Sequence, residues 1–156
     1  MSLTPDAPRW LERLIDEVKA GSHSMPLGQT LGYRLSEIRD GEAVIEIDTS
    51  DIHFNYMGYT HGGVICTIMD TAMGLAALST LTQEETSTTV ELKVNMLRPV
   101  WRSRLRAIAK VTNRGRTLQL LECEVRDERD KVVSKAMGTW MTLRGEPGQK
   151  RVQRDV

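Results

Sequence analysis

An α+β fold, a curved antiparallel β-sheet of five to six strands wrapped around one long central α-helix with a short N-terminal helix, is what this sequence predicts. Three observations carry the prediction. Residues 63–81 are apolar nearly all round, which suits a helix enclosed by its own protein. Runs of alternating apolar and polar residues flank that stretch with the period of half-buried strands. The links between these runs are short, so neighbouring strands are expected to be antiparallel. A central helix with a hairpin before it and a four-strand meander after it has few packing solutions, and the simplest is a sheet around the helix.

The elements follow in order. Trp10, Leu11, Leu14, Ile15 and Val18 interleave with Glu12, Arg13, Asp16 and Glu17, which predicts an amphipathic helix and not the basic-then-apolar pattern of a secretory leader. Residues 21–29, rich in Gly, Ser and Pro, read as a connection. Strands are expected at 31–38 and 42–47, joined by the turn Arg39-Asp40-Gly41, with Ala43, Ile45 and Ile47 alternating against Val44, Glu46 and Asp48. Residues 51–60 have no period and read as a loop that delivers the chain to a helix starting near His61 or Gly62. After the helix, residues 83–87 turn the chain. Val90, Leu92, Val94 and Met96 then alternate with Glu91, Lys93 and Asn95 until Arg98-Pro99 ends the run. Three further strands at 105–112, 117–125 and 132–143 are separated by Asn113-Arg114-Gly115 and by residues 126–131. Residues 1–144 are expected to form a single domain and 145–156 a polar, mobile tail.

Composition excludes several classes. The 21 basic and 21 acidic residues cancel, so no global field draws the chain to nucleic acid or to an anionic membrane, and neither is expected as a partner. Cys66 and Cys123 lack CxxC spacing and suggest neither a disulfide framework nor a zinc site, so a cytoplasmic setting and no metal are expected. Residues 63–81 are long enough to raise a membrane span. Thr67, Asp70, Thr71, Ser79 and Thr80 dilute the run, however, and no aromatic belt accompanies it.

Asp70 is the most informative residue. A lone carboxylate among Val64, Ile65, Ile68, Met69, Ala72, Met73 and Leu75 needs a reason, because burying an unpaired charge costs several kcal/mol or shifts its pKa. Catalysis is such a reason. At the other end, Gly62 and Gly63 open the helix, where free N–H groups and the positive end of the dipole favour a developing negative charge. Gly62 is therefore a candidate oxyanion donor, although two glycines also serve simply to turn a chain. Eight residues of helix separate the Gly62 and Asp70 backbones by about 12 Å. If both act on one carbonyl, they come most simply from two copies of the chain around a two-fold axis, which predicts an obligate homodimer with two shared sites.

Asn55-x-x-Gly58-x-x-His61-Gly62-Gly63, then Asp70-x-Ala72, then Thr89-Val90-Glu91-Leu92-x-Val94-x-x-Leu97-Arg98-Pro99, resemble the hotdog-fold acyl-CoA thioesterases of the phenylacetic-acid-degradation (PaaI-type) branch of the 4HBT superfamily. The resemblance extends from about residue 28 to about 143 and is most specific between Asn55 and Asp70. It implies the hotdog fold, homodimers that often pair into tetramers, and hydrolysis of an acyl-CoA thioester. Coenzyme A is then part of the substrate, and no cofactor is expected. Carried over by position, Asp70 is the nucleophile or the general base on water, and the Gly62 N–H polarises the thioester carbonyl. Asn55 orients water or the thioester from the same subunit as Gly62. Thr89 matches a hydroxyl residue that assists the carboxylate, though β propensity alone also accounts for a Thr at a strand start. The place of His61 in the motif points to holding the turn through hydrogen bonds, with direct proton transfer as the alternative. The chain departs from the pattern in two turns: Trp101-Arg102-Ser103-Arg104 lacks a glycine common after the Arg-Pro step, and the usual glycine of the last hairpin is replaced around Asp130.

A coenzyme A substrate calls for cations near the acyl pocket. Arg98, Arg102, Arg104, Arg106, Arg114 and Arg116 gather around two connections, and Asn113, Arg114, Gly115 and Arg116, with Arg98, are the expected phosphate-binding set. Any single Arg is equally well explained as an ordinary exposed residue. Phe54, Tyr56, Met57, Met69 and Met73 are expected to line an acyl tunnel, for which aryl and medium-chain groups both fit. Two rival readings stand: a hotdog-type acyl-thioester dehydratase or hydratase, suggested by His53-Phe54, and a non-catalytic acyl-CoA-binding protein. The acid on the helix is out of register with the first. The second, as a sensor, would call for a DNA-binding segment not evident before His61.

Overall fold

The structure is a computed structural model that describes residues 9–20 and 25–145. Helix α1 (Arg9–Lys19) buries Leu11, Leu14 and Ile15 in the core and leaves Glu12 and Arg13 outside, as its pattern predicts. A second helix, α2 (Pro26–Leu31), occupies the end of the expected connection. Pro is tolerated at a helix start because the N–H it lacks would be unpaired there. Gly32 ends α2 at φ 74°, returning its N–H to the Gly28 carbonyl at 2.7 Å. The first strand accordingly begins at Tyr33, not at Leu31. The expected tail lies, from residue 146 on, outside the described residues.

Strands β1 (Tyr33–Arg39), β2 (Glu42–Asp48), β3 (Glu85–Met96), β4 (Arg104–Arg114), β5 (Leu118–Arg126) and β6 (Val132–Arg144) form one antiparallel sheet in the order β1-β2-β4-β5-β6-β3. Helix α3 (Gly62–Leu78) packs across its inner face and starts where the sequence placed it. Ala43, Ile45, Ile47, Leu105, Ala107, Ala109, Leu121, Cys123 and Val125 meet Ile65, Ile68, Met69, Ala72 and Met73 in the core. No described helix is long and apolar enough to cross a membrane.

The sheet order corrects the four-strand meander. Strands β4, β5 and β6 do form one, but β3 pairs with β6 at the sheet edge. The chain from β3 to β4 crosses the mouth of the fold and is tied down along its way. The Leu97 N–H donates to the Val133 carbonyl, the Thr60 N–H to that of Val100, and the Thr49 N–H to that of Ser103. Because this strap is long enough to span the sheet, the β5–β6 hairpin fits between β3 and β4.

A second correction concerns the alternation in β3. A bulge between Thr89 and Glu91 resets the period, so Val90 is 57 % exposed while Thr89 faces Trp140 across the β3–β6 ladder. Trp140 itself is 2 % exposed. Its ring lies over Gly138, where an added Cβ would sit 2.4 Å from Cζ3 and 3.0 Å from the Glu91 carbonyl oxygen. Gly138→Ala is therefore expected to destabilise the fold by about 1–3 kcal/mol, read as a lowered urea midpoint.

The final hairpin shows how this chain manages without the glycine expected there. Asp130 takes φ 58°, and the turn is held by Asp127, whose Oδ1 accepts from the Arg129 and Lys131 amides at 3.0 and 2.9 Å. On the outer sheet surface the Arg104 hydrogen bond holds the Asp48 carboxyl below its ordinary value, and the Lys135 hydrogen bond does the same for Glu124. A carboxylate depressed in this way adds stability that is complete above its unfolded value, about 4, and is lost as pH falls through the lowered folded value. These pairs are exposed, so the effect is expected to be small. The urea midpoints of wild type and an Arg104→Ala/Lys135→Ala variant are expected to differ at neutral pH and to converge in acid below about pH 4.

Candidate active site

Two groups of the expected residues lie along α3, one at its start and one about two turns further on. The first is built by the loop before the helix. The Asn55 side chain pins that loop, its Oδ1 accepting from the Met57 amide at 2.9 Å and the Tyr59 amide at 3.2 Å. The Asn55 N–H meets the Tyr59 carbonyl, and Gly58 takes φ 80° to close the turn. Among the described residues the Nδ2 arm of Asn55 has no partner and is available as a donor.

His61 caps α3: its Nδ1 accepts the Gly63 N–H at 2.9 Å, and its carbonyl receives the Val64 and Ile65 amides. The cap needs a glycine, since a Cβ on Gly63 would lie 2.9 Å from that ring nitrogen. Three of the four first-turn amides are thus used, and among the described residues the Gly62 N–H has no partner. Gly62 lines a cleft of about 280 Å³ with Asn55, Tyr59, Thr60, Ile65, Met96 and Leu97. An exposed apolar pair, Met96-Leu97, directly before Arg98-Pro99 is the sequence signal that would have found this wall.

Two turns further along α3 is the second group. Asp70 is half-buried, on a face of the helix that the sheet leaves partly uncovered, together with Cys66, Thr67, Thr71 and Gly74. The burial inferred for this carboxylate from the apolar run is thus corrected: the run lies on the opposite side of the helix. The Thr89 hydroxyl, itself on an exposed residue, donates to Asp70 Oδ1 at 2.9 Å beside the β3 bulge. The Cys66 thiol is raised above its ordinary value by burial and by the charge of Asp70, and burial pushes Cys123 up to about 12, so neither thiol is poised as a thiolate.

Gly62 and Asp70 do not meet within one chain. Eight residues put them about 12 Å apart along the axis and about 80° apart around it. The expected phosphate-binding residues divide in the same way. Arg98, whose Nε donates to the Val132 carbonyl, lines the Gly62 cleft. Asn113, Arg114, Gly115 and Arg116 lie at the far end of β6, where the Thr142 amide bonds the Thr117 carbonyl and Arg144 bonds that of Arg116. From Val133 to Thr142 that is about 30 Å of strand. Gly115 is fixed there by its turn, since a Cβ would stand 2.5 Å from the Leu118 carbonyl oxygen. Arg102, Arg104 and Arg106 are engaged by Asp51, Asp48 and the pair Glu37 and Glu46. Among the described residues Arg98, Arg114 and Arg116 have no carboxylate partner.

The expected acyl tunnel is not assembled in the single chain. Met69 and Met73 are core residues with 0 % exposure, whereas Tyr56 and Met57 stand in solvent on the loop. His53 is buried and locked: its Nδ1 accepts the Ser50 N–H and its Nε2 donates to the Leu31 carbonyl, each at 2.8 Å. It has no free nitrogen for the proton shuttle a dehydratase would need.

Comparison with known proteins agrees with this architecture. A family profile described as Thioesterase superfamily, 4HBT, matches residues 57–134. The chain is 34 % identical over 114 residues to a Saccharolobus solfataricus protein carrying a provisional esterase name, covering 73 % of this chain and 81 % of that one. It is 26 % identical over 134 residues to the medium/long-chain acyl-CoA thioesterase YigI of Salmonella typhimurium, covering 76 % and 86 % of the two chains. Among solved structures, a thioesterase family protein from Silicibacter pomeroyi superposes with a TM-score of 0.76 at 27 % identity, covering 86 % of this chain and 99 % of that one. The Escherichia coli PaaI protein shares the fold, with a TM-score of 0.76 at 20 % identity over 88 % of this chain and 96 % of its own.

Proposed function

Because the chain belongs to the thioesterase superfamily, within its PaaI-like hotdog thioester hydrolases, we propose that it hydrolyses acyl-CoA thioesters at sites shared between two protomers. The observation that carries this reading is the unpaired Gly62 N–H opening into a cleft, on the same helix that presents the Asp70–Thr89 pair on an uncovered face. Two such helices related by a two-fold axis bring the Gly62 end of each against the Asp70 of the other.

In that arrangement the thioester carbonyl accepts from the Gly62 N–H, where negative charge develops as the tetrahedral centre forms. Asp70 either attacks the carbonyl carbon itself or removes a proton from the water that does, and the coenzyme A thiolate departs. The Thr89 hydroxyl holds the Asp70 carboxylate in place, and the Asn55 Nδ2 orients water or the thioester. His61 acts through the turn it caps. Arg98 of one protomer and the Asn113–Arg116 turn of its partner flank the same site and supply cations for the phosphates, which suits their lack of carboxylate partners. Pairing of dimers into tetramers and a cytoplasmic location accord with this reading. Aryl and medium-chain acyl groups are the substrates favoured.

The test is thiol release over a panel of aryl- and straight-chain CoA esters. Turnover of at least one member with saturation kinetics is expected. Binding of the esters without release would identify a non-catalytic acyl-CoA-binding protein, and hydration of an enoyl ester without thiol release would identify a hydratase.

A further inference from the structure

The Gly62 cleft does not end at Arg98. Arg98, Pro99 and Val100 also form one wall of a second, larger groove of about 440 Å³, which runs past Trp101 to the turn before β6. Its other lining is unusual for a surface groove in joining a large aromatic to several cations. Trp101 is 59 % exposed, yet it is firmly mounted: its carbonyl accepts from the Thr49 and Thr60 hydroxyls, and its ring meets Tyr59 edge-to-face at 5.1 Å. Arg129 and Lys131 reach the groove from the Asp127–Lys131 turn. Among the described residues Arg98, Arg129 and Lys131 form no ion pair, while Arg102 is engaged by Asp51. Of the two lining carboxylates, Asp127 is occupied by the amides of its own turn, and Glu128 is exposed.

A flat, rigid, half-exposed indole beside unpaired cations is the chemistry that takes a purine base with phosphates attached. Bases stack on aromatic faces, and guanidinium and ammonium groups meet phosphate oxygens. We propose that this groove seats the nucleotide end of the coenzyme A substrate, with adenine on Trp101, the 3′-phosphate against Arg129 and Lys131, and the diphosphate passing between Arg98 and the partner protomer's Asn113–Arg116 turn on its way into the Gly62 cleft. The assignment rests on the acyl-CoA reading above. It gives a role to Trp101, which stands in the stretch where the family pattern has a glycine, and to a turn held by a non-glycine residue at φ 58°.

The test uses adenosine 3′,5′-bisphosphate as probe, measured by calorimetry on the full chain, beside hydrolysis of one acyl group carried by coenzyme A or by N-acetylcysteamine. Trp101→Ala is expected to weaken the probe by about tenfold, the effect of losing one base stack. Arg129→Glu/Lys131→Glu, which alters only the exposed turn, is expected to do the same if Trp101→Ala fails to fold. In both variants the kcat/KM for the CoA ester is expected to fall about tenfold relative to that for the short thioester, through KM. Probe affinity unchanged in the folded variants, or equal losses on both esters, would overturn the assignment. A wild type that cleaves both esters but never binds the probe sinks the groove and leaves the thioesterase. A wild type that binds the probe at Trp101 yet cleaves neither ester sinks the thioesterase and leaves the groove.

Discussion

Asp70→Asn is expected to lower kcat by about 10²–10⁴ with little change in KM or in unfolding midpoint, because in the proposed mechanism it removes the charge that attacks the thioester carbonyl or deprotonates water while keeping the shape of the side chain. The fold should tolerate it, since Asp70 is half-buried and an Asn Oδ1 still accepts from the Thr89 hydroxyl. Thr89→Val removes that hydroxyl without changing side-chain volume and is expected to cost about tenfold in kcat, the scale of one hydrogen bond to a charged group. Steady-state thiol release on the best CoA ester measures both. Turnover by Asp70→Asn within a few-fold of wild type would place the chemistry elsewhere.

The second large effect is restoration of activity by mixing two dead proteins. Asp70→Asn destroys the carboxylate half of a site, and Asn55→Ala disturbs the half that holds Gly62. In a heterodimer of the two variants one site receives both intact halves and the other neither. Random pairing at equal amounts makes about half of the dimers mixed, each with one working site of two, so about a quarter of wild-type activity is expected to appear on co-expression or on mixing after reversible dissociation. If each chain carried a complete site, every site in the mixture would contain one lesion and no activity would return. The result therefore separates a shared site from a self-contained one more directly than measuring oligomeric mass.

The elements of this fold were legible in the chain because each depends on local periodicity. Ala43, Ile45 and Ile47 alternate and are buried, and Gly62 opens the long helix that the apolar run announces. The helix at Pro26–Leu31 was hidden because Pro and Gly, read as loop residues, there serve as its first position and its left-handed stop. The place of β3 at the edge was not legible either. Strand pairing is decided by a strap fastened at Thr49, Thr60 and Val133, contacts too distant in sequence for any local pattern to encode.

For the site, the chain by itself supplied the candidate groups: a carboxylate within an apolar helix, glycines at that helix's start, and a spacing too long for the two to meet in one copy. Only the tertiary structure decided which side of the helix Asp70 occupies and which first-turn amide is free. It alone showed that the Thr89 hydroxyl, beside the β3 bulge, donates to the acid. The physical reason is that residue types and spacing fix what a group can do, whereas its exposure and partners are set by what other strands leave uncovered. The same division explains the acyl residues. Met69 and Met73 have the adaptable side chains a tunnel would use, but the closing of the sheet over one face of the helix made them core.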